Sequence, residues 1–169
     1  MRTMGQASPT RSIDSQSSSR HLRRSMIRVH GTSIALAGTG VLLRGPSGAG
    51  KSDLALRLIE AGACLVADDQ VELFPSDEGL IMRPPDKLAG LLEVRGLGIL
   101  RFEYADNIPL ALVVDLVPAD SVERMPEAET TEISGIPLPL LRLCPWEASA
   151  PAKVRLAVGV ASGSILYLR

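Results

Sequence analysis

Residues 41 to 52 read Val-Leu-Leu-Arg-Gly-Pro-Ser-Gly-Ala-Gly-Lys-Ser. Four apolar or strand-compatible residues run directly into a complete G-x-x-x-x-G-K-[ST] loop made by Gly45, Pro46, Ser47, Gly48, Ala49, Gly50, Lys51 and Ser52. The glycines let successive backbone N–H groups turn inward toward an anion. Lys51 brings a cation to the β- and γ-phosphates, Ser52 offers a hydroxyl to Mg²⁺, and the helix that opens there adds the positive end of its dipole. Leu54, Leu56, Leu58 and Ile59 recur at roughly helical spacing over Asp53 to Ala61, and Gly62 stands where a C-cap glycine belongs. From average residue frequencies the four fixed positions arise by chance in a chain of this size less than about one time in 50. A strand before and a helix after therefore mark a site for a nucleoside triphosphate, and they set the fold class as α/β.

Working outward, the expected elements are mostly strands. Ile27 to His30 and Thr32 to Ala37 precede the loop strand, and Ala63 to Ala67 follows the helix as a buried run that stops at Asp68-Asp69. Gln70 to Phe74 and Leu80 to Arg83 flank a turn over Pro75 to Gly79, and Pro84-Pro85 forbids continuation. Lys87 to Leu91 is expected as a helical turn. Leu92 to Val94, Ile99 to Tyr104 and Leu110 to Val117 are further strands, and residues 118–129 a surface loop. Thr130 to Leu143 is extended, with Pro137 and Pro139 marking an edge strand or loop, and Ser149-Ala150-Pro151 starts a last helix. Many strands and few helices do not make the strict alternation of a doubly wound sheet.

The 169 residues suit one domain with a real core. Residues 1–25 hold Arg2, Arg11, Arg20, Arg23 and Arg24 against Asp14 and offer almost nothing to bury, so they are expected to be a disordered N-terminal extension before a folded domain over 26–169. Their arginines and serines imitate a transit peptide without its apolar stripe, and Met26 is an alternative translation start. That +4 segment leaves −5 of the formal −1 for residues 26–169, which excludes nucleic-acid binding by bulk charge. Cys64 and Cys144, with His21 and His30, form neither a disulfide framework nor a zinc set, which fits a cytoplasmic location. The longest apolar stretch, Leu156 to Leu168, is too short to span a membrane.

Asp68-Asp69 is the second informative pair. Adjacent carboxylates at the end of an apolar strand call for a cation or a proton between them. One such Asp commonly holds Mg²⁺ in P-loop proteins, and the other is placed to accept a proton from a substrate hydroxyl; the competing reading is a plain turn. His30 is either a strand-end surface histidine or a charge partner for an Asp at the phosphate site. Glu93 and Arg95, flanking Val94 before Gly96-Leu97-Gly98, are either a surface ion pair beside a bulge or part of the site. Cys64 reads as core packing, and Trp146 as packing or a subunit contact.

Taken together, Val29-His30-Gly31, the run Gly40 to Ser52, Leu65-Val66-Ala67-Asp68-Asp69 and Leu92-Glu93-Val94-Arg95-Gly96-Leu97-Gly98-Ile99 resemble the catalytic domain of bacterial HPr kinase/phosphorylase. The resemblance covers Met26 to Leu143. It implies a strand-rich P-loop domain similar to the nucleotide-binding core of phosphoenolpyruvate carboxykinases. It also implies ATP-dependent phosphorylation of a serine of the HPr phosphocarrier protein, regulation of carbohydrate metabolism through the phosphotransferase system, and a hexamer. By the same resemblance Lys51 and the loop hold ATP, Ser52 and Glu93 bind Mg²⁺, and Asp69 is the general base, tuned by Asp68 and His30. The chain is expected to depart from that family by lacking its N-terminal domain, and it carries Pro151-Ala-Lys153-Val-Arg155 where the family has a Pro-Gly-Arg-Asn type loop. The expectation is a short form with kinase activity and little phosphorylase activity. Two other readings are a P-loop small-molecule kinase and a non-catalytic, nucleotide-dependent regulatory module.

Overall fold

The structure is a computed structural model that describes residues 25–166 and 168. In chain order the strands before the loop are β1 (Ile27–His30), β2 (Thr32–Leu36) and β3 (Thr39–Arg44), followed by helix α1 (Lys51–Glu60). Then come β4 (Cys64–Ala67), β5 (Gln70–Ser76), β6 (Gly79–Arg83), β7 (Leu91–Val94) and β8 (Gly98–Arg101). The chain continues with β9 (Ile108–Leu116), β10 (Glu129–Ile133), β11 (Ile136–Leu143) and α2 (Ala150–Ala161). The expected disorder of residues 1–25 falls, apart from Ser25, outside the described residues.

β3 and β9 are apolar at consecutive positions, so both of their faces need cover. They pair in parallel at the centre of a mixed sheet of order β1-β5-β6-β9-β3-β2-β4, with β11 parallel to the end of β9 and β10 outside it. Val41 and Leu43 of β3, with Leu112, Val114 and Leu116 of β9, face the helices and pack on Leu54, Leu58, Val154 and Val158. Leu42 and Val113 point the other way, into a second core with Val66, Val71, Leu73, Leu80 and Met82. Burial on two faces is why these strands lack the polar alternation seen in β5 and β6. Fully burying each such Val or Leu contributes about 1.5–3 kcal/mol. Gly40 has a packing reason: a Cβ there would meet Met82 Cε at 2.4 Å and the Pro109 carbonyl at 2.6 Å.

The structure corrects several expected boundaries. The β5–β6 turn is only Asp77-Glu78, and Pro75 lies within β5 opposite Leu80. The helical turn is a short 3₁₀ segment, Asp86–Leu88, and Leu91 already belongs to β7. The strand expected to reach Tyr104 ends at Arg101, leaving Tyr104 in a single bridge with Leu65. Residues 130–143 are a hairpin whose turn is Ser134-Gly135, with both residues in left-handed backbone. β11 is flanked on both sides only from Leu140 onward, so the part that holds Pro137 and Pro139 has a free edge, as expected. Successive backbone nitrogens alternate edges, so both prolines leave the same edge without donors, and β9 joins that strand only from Leu140 onward. Cys64 is half-buried and packs against the second core from its edge, with Sγ 3.9 Å from the Glu103 carbonyl; burial, and secondarily the charge of Glu103, push its thiol up. Pro151 stands in the first turn of α2 as expected, and Ser149 precedes it without capping through its hydroxyl.

Candidate functional site

The site is built where β3, β4 and β7 end around the start of α1. Arg44 closes β3 with a two-pronged bond to its parallel neighbour Asp115, Nε–Oδ1 at 2.7 Å and Nη2–Oδ2 at 3.0 Å, so the strand end that feeds the loop is fixed. Gly48 (φ 79°) and Gly50 (φ 91°) then take left-handed backbone that an L side chain resists. Lys51 folds back over the loop, and its Nζ donates to the carbonyls of Gly45 at 2.8 Å and Pro46 at 2.9 Å. The ammonium is thus held over the loop by two of its three donors, with one left for a ligand.

Asp68 and Asp69 are adjacent in sequence and opposite in environment. Asp68 is buried. Its Oδ1 accepts from Thr32 Oγ at 2.7 Å and from Ser52 Oγ at 2.9 Å, and its Oδ2 accepts from the Glu93 backbone N–H at 3.2 Å. Three donors from three elements offset the desolvation of the carboxylate. Asp69 takes φ 67°, a conformation Asp tolerates better than most residues, and its carbonyl accepts from Gly31 N–H at 3.1 Å. That left-handed step swings its side chain out of the strand line to 65% exposure, 3.4 Å from His30 Nδ1. Gly31 cannot gain a side chain, because a Cβ would lie 2.8 Å from the Leu43 carbonyl.

An open cleft of about 610 Å³ brings these residues together: His30, Lys51, Ser52, Asp68, Asp69, Glu93, Val94 and Arg95 all line it. All the sequence-predicted residues outside the N-terminal part of the loop, and Ser47, Gly48 and Gly50 within it, line this one cleft. The β7–β8 hairpin that carries Glu93 is largely exposed, and Leu97 and Ile99 stand 74% and 70% exposed near its tip. Sequence reasoning missed Thr32, whose hydroxyl reaches Asp68 only through the β2–β4 pairing. It gave Arg95 no settled place and read Trp146 as packing or a subunit contact, whereas both line the cleft. Lys153 and Arg155, which stand where the family has its Pro-Gly-Arg-Asn type loop, are otherwise engaged: Lys153 pairs with Glu147, and Arg155 donates to the Ala61 carbonyl at the end of α1 away from the loop.

No group of three or more His, Cys, Asp or Glu side chains with metal-binding geometry exists among the described residues. Mg²⁺ asks for less than that, since it is bound through one or two carboxylates and substrate phosphates while keeping several waters. Ser52 Oγ and Asp68 Oδ1, hard oxygens 2.9 Å apart beside the loop, fit that requirement, and Glu93, whose backbone N–H bonds to Asp68, adds a further carboxylate to the same cleft. The glycine loop capped by Lys51 fits a polyphosphate.

A strand-rich α/β domain in which a G-x-x-x-x-G-K-S loop opens a helix beside a strand-end aspartate defines the class. Within it, the family model of the HPr Serine kinase C-terminal domain matches residues 23–145, and the chain belongs to that family. An HPr kinase/phosphorylase of Variovorax paradoxus is 44% identical over 123 residues, covering 65% of this chain and 39% of that protein. One of Streptococcus thermophilus is 35% identical over 127 residues, covering 68% of this chain and 41% of that protein. The chain therefore spans about two-fifths of the length of these curated relatives. The structure of the Hpr(Ser) kinase/phosphatase from Coxiella burnetii superposes with a TM-score of 0.72 at 24% identity, covering 82% of this chain and 97% of that one, which establishes the fold. Among the described residues no helix is long and apolar enough to cross a membrane.

Proposed function

We propose that the chain is an ATP- and Mg²⁺-dependent serine kinase acting on the HPr phosphocarrier protein in the cytoplasm, with a core similar to that of phosphoenolpyruvate carboxykinases. The observation that carries this reading is the split between the two aspartates. Buried Asp68 is committed to Ser52 and Thr32, while exposed Asp69 sits on the same cleft with His30 beside it. Lys51 and the loop amides bind and orient the phosphates. Ser52 and Asp68 would hold the metal, joined by the Glu93 carboxylate beside them on the same cleft. A bound Mg²⁺ neutralises charge on the transferring phosphoryl group. Asp69 Oδ accepts the proton of the acceptor serine as its oxygen attacks, and His30 keeps that carboxylate oriented. The hydrogen bond from Ser52 supports reading Asp68 with the metal oxygens, in addition to its role as a tuner of Asp69.

The open mouth of the cleft and the exposed hairpin beside it favour a protein acceptor over an enclosed metabolite, and an available Asp69 favours catalysis over a passive regulatory module. Phosphorylase activity is proposed to be weak. It needs cations near two anions at once, and Lys153 and Arg155 are both engaged elsewhere. Assembly into a hexamer is part of the same proposal by family.

The test is incubation of the purified chain with labelled ATP, Mg²⁺ and HPr, with phosphoserine as the readout and Lys51→Ala as the control. Wild-type turnover is expected, with a loss of about 10²–10³ in the variant and an unchanged circular dichroism spectrum. Turnover that survives in Lys51→Ala would overturn the role of the loop. Pyrophosphate release from phosphoserine-HPr in excess phosphate, at rates matching the forward reaction, would overturn the weak phosphorylase.

A further inference from the structure

Trp146 is the single tryptophan of a chain with few aromatic residues, and it stands 65% exposed. A core-packing role would bury it, because leaving a large ring in water forfeits much of what its burial contributes. Its place is nevertheless fixed. The edge of its six-membered ring lies over the last glycine of the phosphate loop, so that a Cβ on Gly50 would meet Cη2 at 3.0 Å and Cζ2 at 3.1 Å. The backbone on both sides is held by one guanidinium: Arg57 donates to the carbonyls of Pro145 and Glu147. Arg57 is in turn tied at 3.0 Å to Asp53, the residue that follows Ser52. The ring is thus a clamped aromatic surface on the wall of the cleft, beside the loop that fits a polyphosphate, with Leu56 of α1 on the same cleft.

We propose that Trp146 is the stacking platform for the base of the bound nucleotide, an inference that rests on reading the loop as the triphosphate site. An aromatic face accepts any base, so the ring supplies affinity for a nucleoside triphosphate over a bare polyphosphate and does not discriminate among bases. It also explains why the loop's neighbour is a rigidly held tryptophan left in solvent: the face that is exposed in the free protein is the one that the base covers.

The experiment measures binding of ATP·Mg²⁺ and of inorganic tripolyphosphate·Mg²⁺ by calorimetry to the full chain, to Trp146→Ala and to Trp146→Phe. Trp146→Ala is expected to weaken ATP binding roughly 5- to 100-fold while changing tripolyphosphate binding less than about twofold, and Trp146→Phe to retain most of the ATP affinity. Tryptophan emission of the wild-type chain is expected to change on addition of ATP and not of tripolyphosphate, a signal that can come from Trp146 alone. Equal weakening of both ligands would mean that the ring only supports Gly50. Unchanged ATP affinity with a raised KM for HPr would mean that it contacts the protein partner. Either outcome overturns the proposal. A wild-type chain that binds neither ligand would instead remove the phosphate-site reading on which the inference stands.

Discussion

The inner end of the cleft and its rim are built on different terms. At the inner end Thr32, Lys51, Ser52 and Asp68 are buried or half-buried; Thr32, Ser52 and Asp68 are joined by hydrogen bonds across elements, and Lys51 is bonded to carbonyls of its own loop. At the rim His30, Asp69, Glu93, Arg95 and Trp146 are largely in solvent. Groups proposed to hold phosphates and a metal, such as Lys51, Ser52 and Asp68, gain from being fixed in advance, whereas a base proposed to act on a protein substrate, as Asp69 is, has to be reachable. The difference teaches that two neighbouring aspartates are given separate environments, one buried and one exposed, where the backbone turns left-handed at Asp69.

The largest effect that sharpens this contrast is on turnover. Asp69→Asn is expected to lower kcat by about 10²–10⁴ with the Kd of ATP·Mg²⁺ unchanged, as measured by single-turnover kinetics and calorimetry. A variant that binds ATP·Mg²⁺ poorly yet turns over normally at saturation would exchange the roles of the rim and the inner end.

A smaller effect separates the same residues by stability. Asp68→Ala leaves the Thr32 and Ser52 hydroxyls and the Glu93 N–H without their acceptor, and is expected to cost about 1–3 kcal/mol in urea unfolding. Asp69→Asn retains a residue suited to left-handed backbone and is expected to stay within about 0.5 kcal/mol of wild type. Equal losses would mean that burial does not distinguish the two.

The smallest effect lies away from the cleft. The hydrogen bonds from Arg83, at 3.0 and 3.3 Å, hold the Asp106 carboxyl below the ordinary carboxylate range. A depressed carboxyl contributes stability above its unfolded pKa and loses it as pH falls through the folded value. Asp106→Asn is therefore expected to lower Tm by only about 1–2 °C at neutral pH, since both groups are exposed, and by progressively less as pH falls below the ordinary carboxylate range. A large drop at neutral pH would show that an exposed pair on the β6 side is as consequential as the buried cluster.

The sequence by itself determined the phosphate loop, the strand before it and the helix after it, because glycine, lysine and serine at those spacings have few other uses and the apolar periodicity is local. It also marked Asp68-Asp69 as a pair and placed β1, β2 and β4 to within a residue or two. Which aspartate is buried was decided only by the tertiary structure, because the donors to Asp68 come from β2, α1 and β7, far apart in the chain. The same holds for Pro137 and Pro139, whose tolerance depends on where β9 begins to pair with β11. Trp146 is the clearest case. Nothing near it in sequence ties it to Gly50, and only the fold of Arg57 onto the carbonyls at 145 and 147 sets the ring against the loop. Periodicity and motif spacing are properties of neighbours along the chain; burial and hydrogen bonding across elements are properties of closure, and the chemistry of this cleft is decided by closure.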